Sequence, residues 1–216
     1  MNKLLVSDII SLNDGIYNIV FKDNKSILTI SGNVVVYIIN QEIKDLIINL
    51  EDNSNLTIYK YDKLLKNNLN IIINQNNNSN IFYNASYINE EDINLKIDNY
   101  IKGNNNNSNI VIRNISNNNY SNMVINVEVF SNTINNIALE DLKGINNGGL
   151  IRIEPNIKCA SNEVTANHLT TIGTLDKDSI NYLTSKGINE INAKNILLKG
   201  FIFSNMDDYI KKLGGE

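Results

Sequence analysis

Gly148–Phe203 reads GGLIRIEPNIKCASNEVTANHLTTIGTLDKDSINYLTSKGINEINAKNILLKGFIF, and this stretch marks a change in the character of the chain. It contains the only proline, the only cysteine and the only histidine, which are Pro155, Cys159 and His168. The sequence before it consists of short apolar runs separated by asparagine, whereas its second half has the pattern of helices. We interpret it as the junction between a long β body and a small helical tail.

Ten short runs rich in β-branched residues precede the junction, and each is bounded by turn-forming residues such as Gly32-Asn33. Several alternate strictly, as Leu69, Ile71 and Ile73 do, which is typical of strands with one inward and one outward face. The predicted strands are Ile16–Phe21, Ser26–Ser31, Val34–Asn40, Asp45–Leu50, Leu56–Tyr61, Leu69–Asn74, Ile81–Tyr87, Ile93–Ile97, Ile110–Ile115 and Met123–Phe130.

The runs recur every ten residues or so with no helical pattern between them, which suits a sandwich, a barrel or a β-solenoid. Asparagine recurs in the turns before strands, as in Ser54-Asn55-Leu56. In stacked coils such asparagines can form side-chain ladders and adopt left-handed backbone. We therefore predict a mostly β protein with a β-helix, a solenoid of short strands, over residues 1–172. A β-sandwich is the structural alternative.

Residues 173–216 form the expected small C-terminal α-helical segment. Asp176 can cap a first helix and Gly187 can end it, while Asn189 can cap a second helix. A third, weaker helix is predicted from Asp207 to Leu213. Short helices bury little surface alone, so we expect the apolar residues from Phe201 onward to pack on the β body or on a partner.

Composition excludes several classes of function. The net charge of −4 argues against a nucleic-acid-binding protein, which needs a basic patch. No apolar run approaches the ~18 residues of a membrane-spanning helix, and the start of the chain lacks the features of a signal peptide. One cysteine cannot build a disulfide framework. These features predict a cytoplasmic protein that contacts neither nucleic acid nor membrane.

The junction and tail resemble the core domain shared by SufB and SufD, the scaffold subunits of the Suf iron–sulfur cluster assembly machinery. The matching segments, in order along the chain, are Arg152–Asn156, Asn162–His168, Thr171–Asp176, Tyr182–Ile188 and Ala193–Phe201. The resemblance implies a β-helix body, in agreement with the strand pattern. It also implies a scaffold role with no catalytic residues.

Within this family the chain is more similar to SufD than to SufB. SufB typically has a glutamate after the junction histidine, where this chain has Leu169. Another form of the family has a cysteine two residues before the histidine, where this chain has Ala166. The resemblance identifies His168 as a candidate metal ligand at the subunit interface; the competing interpretation is a structural histidine. The chain alone is expected to bind no cluster, and a transient iron–sulfur cluster would lie at the interface with SufB.

The resemblance also implies the partners. The strands around Ile151–Ile157 and Val164–Ile172 would pair edge to edge with SufB or with a second copy, and the tail would dock on a SufC-type ATPase. ATP-driven dimerisation of SufC would then shift the two scaffold subunits against each other. The residues assigned to the SufC contact are Asp176, Tyr182, Leu183, Gly187, Ala193, Leu197 and Phe201.

Other candidate residues have simpler interpretations. We expect Cys159 to be a small buried hydrophobic residue in the last coil, Arg152 and Glu154 to form a cross-strand or surface pair, and Glu90–Asp92 to be a solvated turn. Two alternatives to the SufD-like function stay open. One is a SufB-like homodimeric scaffold, and the other, from a different class, is a β-solenoid carbohydrate-binding or adhesin-type protein.

Overall fold

Fifteen strands and three helices follow one another in a computed structural model, which describes residues 3–214 except Glu42 and Asn67. The strands are β1 Lys3–Val6, β2 Ile9–Leu12, β3 Gly15–Val20, β4 Lys25–Ile30, β5 Asn33–Ile39, β6 Asp45–Leu50, β7 Asn55–Leu65, β8 Leu69–Gln75, β9 Asn80–Asn89, β10 Ile93–Ile101, β11 Asn107–Asn117, β12 Tyr120–Val129, β13 Asn136–Asn147, β14 Leu150–Cys159 and β15 Val164–Gly173. The helices are α1 Lys177–Ser185, α2 Glu190–Ile202 and α3 Asp208–Gly214.

The chain winds as a β-solenoid between two parallel sheets, which confirms the predicted fold class. Odd-numbered strands form an eight-stranded sheet in the order β1-β3-β5-β7-β9-β11-β13-β15, and even-numbered strands form a seven-stranded sheet in the order β14-β12-β10-β8-β6-β4-β2. Each coil therefore contributes one strand to each sheet. The period-two alternation points every second side chain into the space between the sheets, where Ile58, Ile97 and Ile125 are fully buried.

Asparagine ladders hold the turns of successive coils in register, as the turn pattern predicted. Asn53, Asn78, Asn105 and Asn135 all have positive φ, between 53° and 60°. The side-chain amides of Asn78, Asn105 and Asn135 each donate to the side-chain oxygen of the asparagine one coil earlier, at 3.0 Å, 3.0 Å and 3.2 Å along the series. Asparagine tolerates this left-handed backbone better than other non-glycine residues, so one residue type supplies both the turn geometry and the contact between coils.

All ten strands predicted before the junction are present, with ends shifted by a few residues. Three strands were missed. β1 and β2 are only four residues long, and β13 mixes apolar residues with Glu140, Asp141 and Lys143, which hides its alternation. The predicted limits of the solenoid and tail, residues 1–172 and 173–216, extend at both ends beyond the described residues.

The three helices begin and end close to the predicted positions. The Asp176 side chain accepts hydrogen bonds from the backbone N–H groups of Asp178 and Ser179, and Asn189 accepts from Asn192. Gly187 follows the end of α1 and has a φ of 88°, a left-handed backbone conformation that favours glycine. The longest of these helices has 13 residues, and none of the three described helices has the length and apolar character that a bilayer crossing requires.

Candidate functional site

The last coil leaves the interior of the solenoid open at one end. β14 and β15 are the terminal strands of their sheets, and no strand within the described part of the chain pairs with their outer edges. On β13 the inward-facing side chains of Ala138 and Leu142 are fully buried. Ala166, which occupies the next coil in register with Ala138, is exposed. We call the inward-facing side chains of β14 and β15 the open end.

His168 lies on β15 among the side chains of the open end. It is in register with Glu140 on β13, whose side chain is buried, and this pairing puts His168 on the inward face of its strand. Because no further coil within residues 3–214, apart from Glu42 and Asn67, covers β15, the histidine is exposed. The structure therefore leaves the only imidazole of the chain accessible from outside the solenoid.

Glu140 is a buried carboxyl group directly beside His168 in the sheet. The residue is only 3 % exposed, and neither Oε1 nor Oε2 has a hydrogen-bonding partner. Burial raises the pKa of Glu140 to about 7, because the charged form loses its hydration. Thr170, two residues after His168, likewise has a buried hydroxyl oxygen without a partner. Buried polar atoms without hydrogen-bonding partners therefore lie on β13, next to the histidine in the sheet, and on β15 itself.

Cys159 lies in the last coil, as predicted, but it is exposed rather than buried. The prediction failed because the inward face of β14 has no coil above it. Its partner in register on β12, Val129, is fully buried by contrast. The cysteine therefore belongs to the open end and is not part of the core.

The helical tail folds back over the outer face of the eight-stranded sheet. Ile202, Phe203, Met206 and Ile210 are buried against that face in a second apolar cluster. This answers the question that the sequence left open, since these apolar residues pack on the β body.

Polar contacts fix the position of the tail on the sheet. Ser86 Oγ donates to the carbonyl oxygen of Ile202 at 2.6 Å, and the Asn205 amide donates to the carbonyl oxygens of Ala85 and Val111. At the last helix, Tyr37 Oη donates to Asp207 at 2.5 Å. These bonds satisfy buried groups on both sides of the contact, so the tail is held in one place.

The two first helices leave one apolar surface uncovered. A shallow depression between α1 and α2 is lined by Tyr182, Leu183, Ile196 and Leu197, with Asp176 at its edge. Tyr182 is 64 % exposed. We call these five residues the helical surface.

Of the seven residues assigned to the SufC contact, four lie on the helical surface, namely Asp176, Tyr182, Leu183 and Leu197. The other three lie elsewhere. Gly187 forms the turn after α1, Ala193 is fully buried, and Phe201 packs against the second apolar cluster. The sequence missed Ile196, whose 49 % exposure becomes visible only when the helices are docked.

A family model described as "SUF system FeS cluster assembly, SufBD core domain" matches residues 40–201, which is three quarters of the chain. The chain belongs to the SufBD family. A search of the curated proteins found no match. The matched region begins directly after β5 and ends within α2, so it includes the open end and all five residues of the helical surface.

The donor atoms at the open end of this SufBD protein suit part of a metal site. An exposed imidazole and an exposed thiol are ligands for iron, and the orphaned carboxylate of Glu140 lies behind the imidazole. Across residues 3–214, apart from Glu42 and Asn67, no group of three or more His, Cys, Asp or Glu side chains is arranged to hold a metal ion. Any complete site that uses these described residues would need ligands from elsewhere.

Two simpler predictions are confirmed near the open end and in the body. Arg152 Nη2 lies 2.6 Å from Glu154 Oε1 on the outward face of β14, as an exposed surface pair. Glu90, Glu91 and Asp92 are exposed in the turn before β10. Glu140 was not identified from the sequence. The feature that could have identified Glu140 is its inward position on the strand, which it shares with Ala138 and Leu142. This feature can be recognised only after β13 has been predicted as a strand.

Proposed function

We propose that this chain is a SufD-like scaffold subunit for iron–sulfur cluster assembly, with no catalytic activity of its own. In this proposal its open end pairs with SufB, or with a second copy, and its helical surface binds a SufC-type ATPase. The observation that carries the proposal is the last coil, where the outer edges of β14 and β15 have no strand partner among the described residues and inward-facing side chains, His168 among them, are exposed.

The open end has the properties of a surface that needs a partner. Its apolar side chains include Ile153 and Ile157, which are only half-buried although they pack against the core, and Ile172, which is 41 % exposed. Parallel edge strands also present free backbone N–H and C=O groups, which a strand from another chain can satisfy. A second scaffold subunit placed end to end would cover both the exposed apolar side chains and the free strand edges.

The SufD-like assignment rests on the scarcity of ligands. Leu169 follows the histidine, Ala166 precedes it by two residues, and Cys159 is the only thiol. A cluster site with so few ligands is incomplete, so the cluster passes through the interface as cargo and SufB supplies most of the ligands. ATP-driven association of SufC then moves the two scaffold subunits relative to each other.

Co-expression with SufB and SufC, followed by size-exclusion chromatography with mass determination, tests the pairing. We expect a complex that contains all three chains. Ile172→Asp puts a charge into the open end and should abolish the scaffold dimer. The matched control is Ile134→Asp, at a similarly exposed isoleucine in a turn of the body. A monomer that ignores both partners, or an Ile172→Asp protein that dimerises like the wild type, would refute the open-end pairing.

The helical surface is tested separately with a pair of variants on one helix. Ile196→Asp changes a residue of that surface, whereas Ile191→Asp changes a more exposed isoleucine outside it. We expect the first variant to weaken SufC binding at least 10-fold and the second to leave it unchanged, measured by calorimetry. Equal affinities for the two variants would show that SufC binds elsewhere.

A further inference from the structure

Glu140 and His168 are adjacent on the same face of the sheet. They are partners in register on β13 and β15, and neighbouring strands lie about 4.8 Å apart. Both side chains project toward the interior of the solenoid. The carboxyl and imidazole groups are therefore within reach of each other through rotation about their own side-chain bonds.

The Glu140 carboxylate has few other hydrogen-bond donors among its neighbours. Its neighbours in the same column and on its own strand are Ile110, Ala138 and Leu142, all apolar and fully buried. A buried carboxyl group without hydrogen bonds is costly, and the cost is removed when a donor is supplied. His168 is the neighbour in register that carries a ring N–H donor, and the Thr170 hydroxyl lies diagonally from it.

We propose that Glu140 is the positioning residue of His168. In this arrangement, which rests on the proposed function, the carboxylate accepts a hydrogen bond from one ring nitrogen. That bond fixes the tautomer and leaves the other nitrogen free to face the open end, where a metal ion or the cluster arrives. Carboxylate partners of this kind orient metal-binding histidines and raise their basicity.

Burial explains why Glu140 acts through the histidine and is not itself a ligand. Neither carboxylate oxygen is accessible to solvent, so an ion at the open end cannot reach them without displacing the last coil. His168 is exposed and stands between the carboxylate and the outside.

The single histidine makes this inference directly measurable in the full chain. NMR of the ring nitrogens reports the His168 tautomer without overlap, at pH 8 where an ordinary imidazole is neutral. Zn²⁺ serves as the metal probe. We expect one dominant tautomer in the wild type and one metal-bound ring nitrogen after Zn²⁺ addition. His168→Ala should remove this Zn²⁺ binding.

Variants of the carboxylate separate positioning from a general loss of charge. Glu140→Leu removes the acceptor in a largely apolar environment, so the fold should tolerate it. It should give a mixture of tautomers and bind Zn²⁺ about 10- to 100-fold more weakly. Glu140→Gln keeps an acceptor oxygen and should give a smaller loss. Glu163→Leu, at an exposed carboxylate next to β15, is the control and should match the wild type.

Three results would overturn the inference. They are a wild type whose ring signals do not respond to Zn²⁺, a Glu140→Leu protein with the wild-type tautomer, and a Glu140→Leu protein with wild-type Zn²⁺ affinity. A different result would refute the proposed function, namely a wild type that forms no complex with SufB and SufC. Glu140→Leu should retain that complex, because the outer edges of β14 and β15 are unchanged.

Discussion

The inward faces of β12 and β14 lie in the same sheet and in register, yet they differ in burial. Met123, Ile125 and Val129 on β12 are fully buried, whereas Ile153 is half-buried and Cys159 is exposed on β14. The side chains on both strands are mostly apolar, so residue type does not explain the difference. What differs is the presence of a next coil. Burial in a solenoid is set by the neighbouring coil, and His168 and Cys159 are exposed because no further coil among the described residues covers β14 and β15.

The turns show the same contrast as the strands. The ladder that starts at Asn53 continues through three coils to Asn135 and stops there. In the last turn, Glu163 occupies the ladder position in register with Asn135, and neither Glu163 nor the exposed Asn162 is among the residues with positive φ. The terminal coil is therefore held by fewer contacts than the central coils, as nearest-neighbour stability in repeat proteins requires.

The largest expected effect comes from the same truncation in the penultimate coil, which the last coil covers, and in the terminal coil. Ile125→Ala should lower the free energy of unfolding by about 2–5 kcal/mol, because it leaves a cavity in a fully buried position. Ile157→Ala removes the same atoms from a half-buried position that opens to solvent, so we expect about 1 kcal/mol or less. Urea unfolding followed by circular dichroism measures both.

The ratio of these two losses is the informative result. Equal losses would mean that the last coil is covered in the free protein, for example by self-association, and the proteins should then be compared at several concentrations. If dilution does not reduce the loss for Ile157→Ala, the comparison between covered and uncovered coils is wrong.

The sequence predicted the strands well because each coil repeats a local pattern. Alternation at Leu69, Ile71 and Ile73 needs no knowledge of distant residues, and capping at Asp176 is equally local. β13 was missed because Glu140 occupies an inward position in which the pattern requires an apolar residue. That departure is itself the clue to a site, although it is readable only after the register is known.

Contacts between distant parts of the chain were not predictable in the same way. The Arg113 guanidinium binds Asp141 at 2.6 Å and Ser204 at 3.2 Å, and so connects the body with the tail. Nothing in the local pattern around these residues specifies that arrangement. His168 was found through the family resemblance, whereas the exposure of Cys159 depends on where the solenoid ends.

An intermediate effect is expected from the asparagine ladder. Asn78→Ala loses the ladder bonds to Asn53 and Asn105 and puts alanine at a φ of 53°. We expect a loss of about 2 kcal/mol, since left-handed backbone alone costs about 1–2 kcal/mol for such residues. Asn78→Gly keeps the backbone conformation at little cost and should lose about 1 kcal/mol.

Asn162→Ala sharpens this prediction, because it changes an asparagine beside the ladder position in the turn where the ladder has ended. Its unfolding free energy should stay within about 0.5 kcal/mol of the wild type. If Asn162→Ala were as damaging as Asn78→Ala, the terminal turn would be held by contacts like those of the central turns, and the contrast between the two regions would be lost.

The smallest expected effect concerns a face that the tail covers. Tyr37, on the outward face of β5, donates to Asp207, and Tyr37→Phe should cost about 1 kcal/mol at pH 7 through loss of this bond. Burial raises the pKa of Tyr37 well above its usual value of about 10, and the hydrogen bond to Asp207 and the negative charge of that residue add to the shift.

The sign of the pH dependence follows from that shift. The folded protein holds the Tyr37 proton more tightly than the unfolded chain, so the contribution to stability is complete below about pH 10 and is lost as the pH rises toward the folded pKa. The wild type should therefore lose its advantage over Tyr37→Phe between pH 10 and 12. The other buried tyrosines are common to both proteins, so the difference between their urea midpoints isolates Tyr37. A difference that stays constant from pH 7 to pH 12 would mean that the tail leaves Tyr37 free to ionise, and that this outward face is as open as the end of the solenoid.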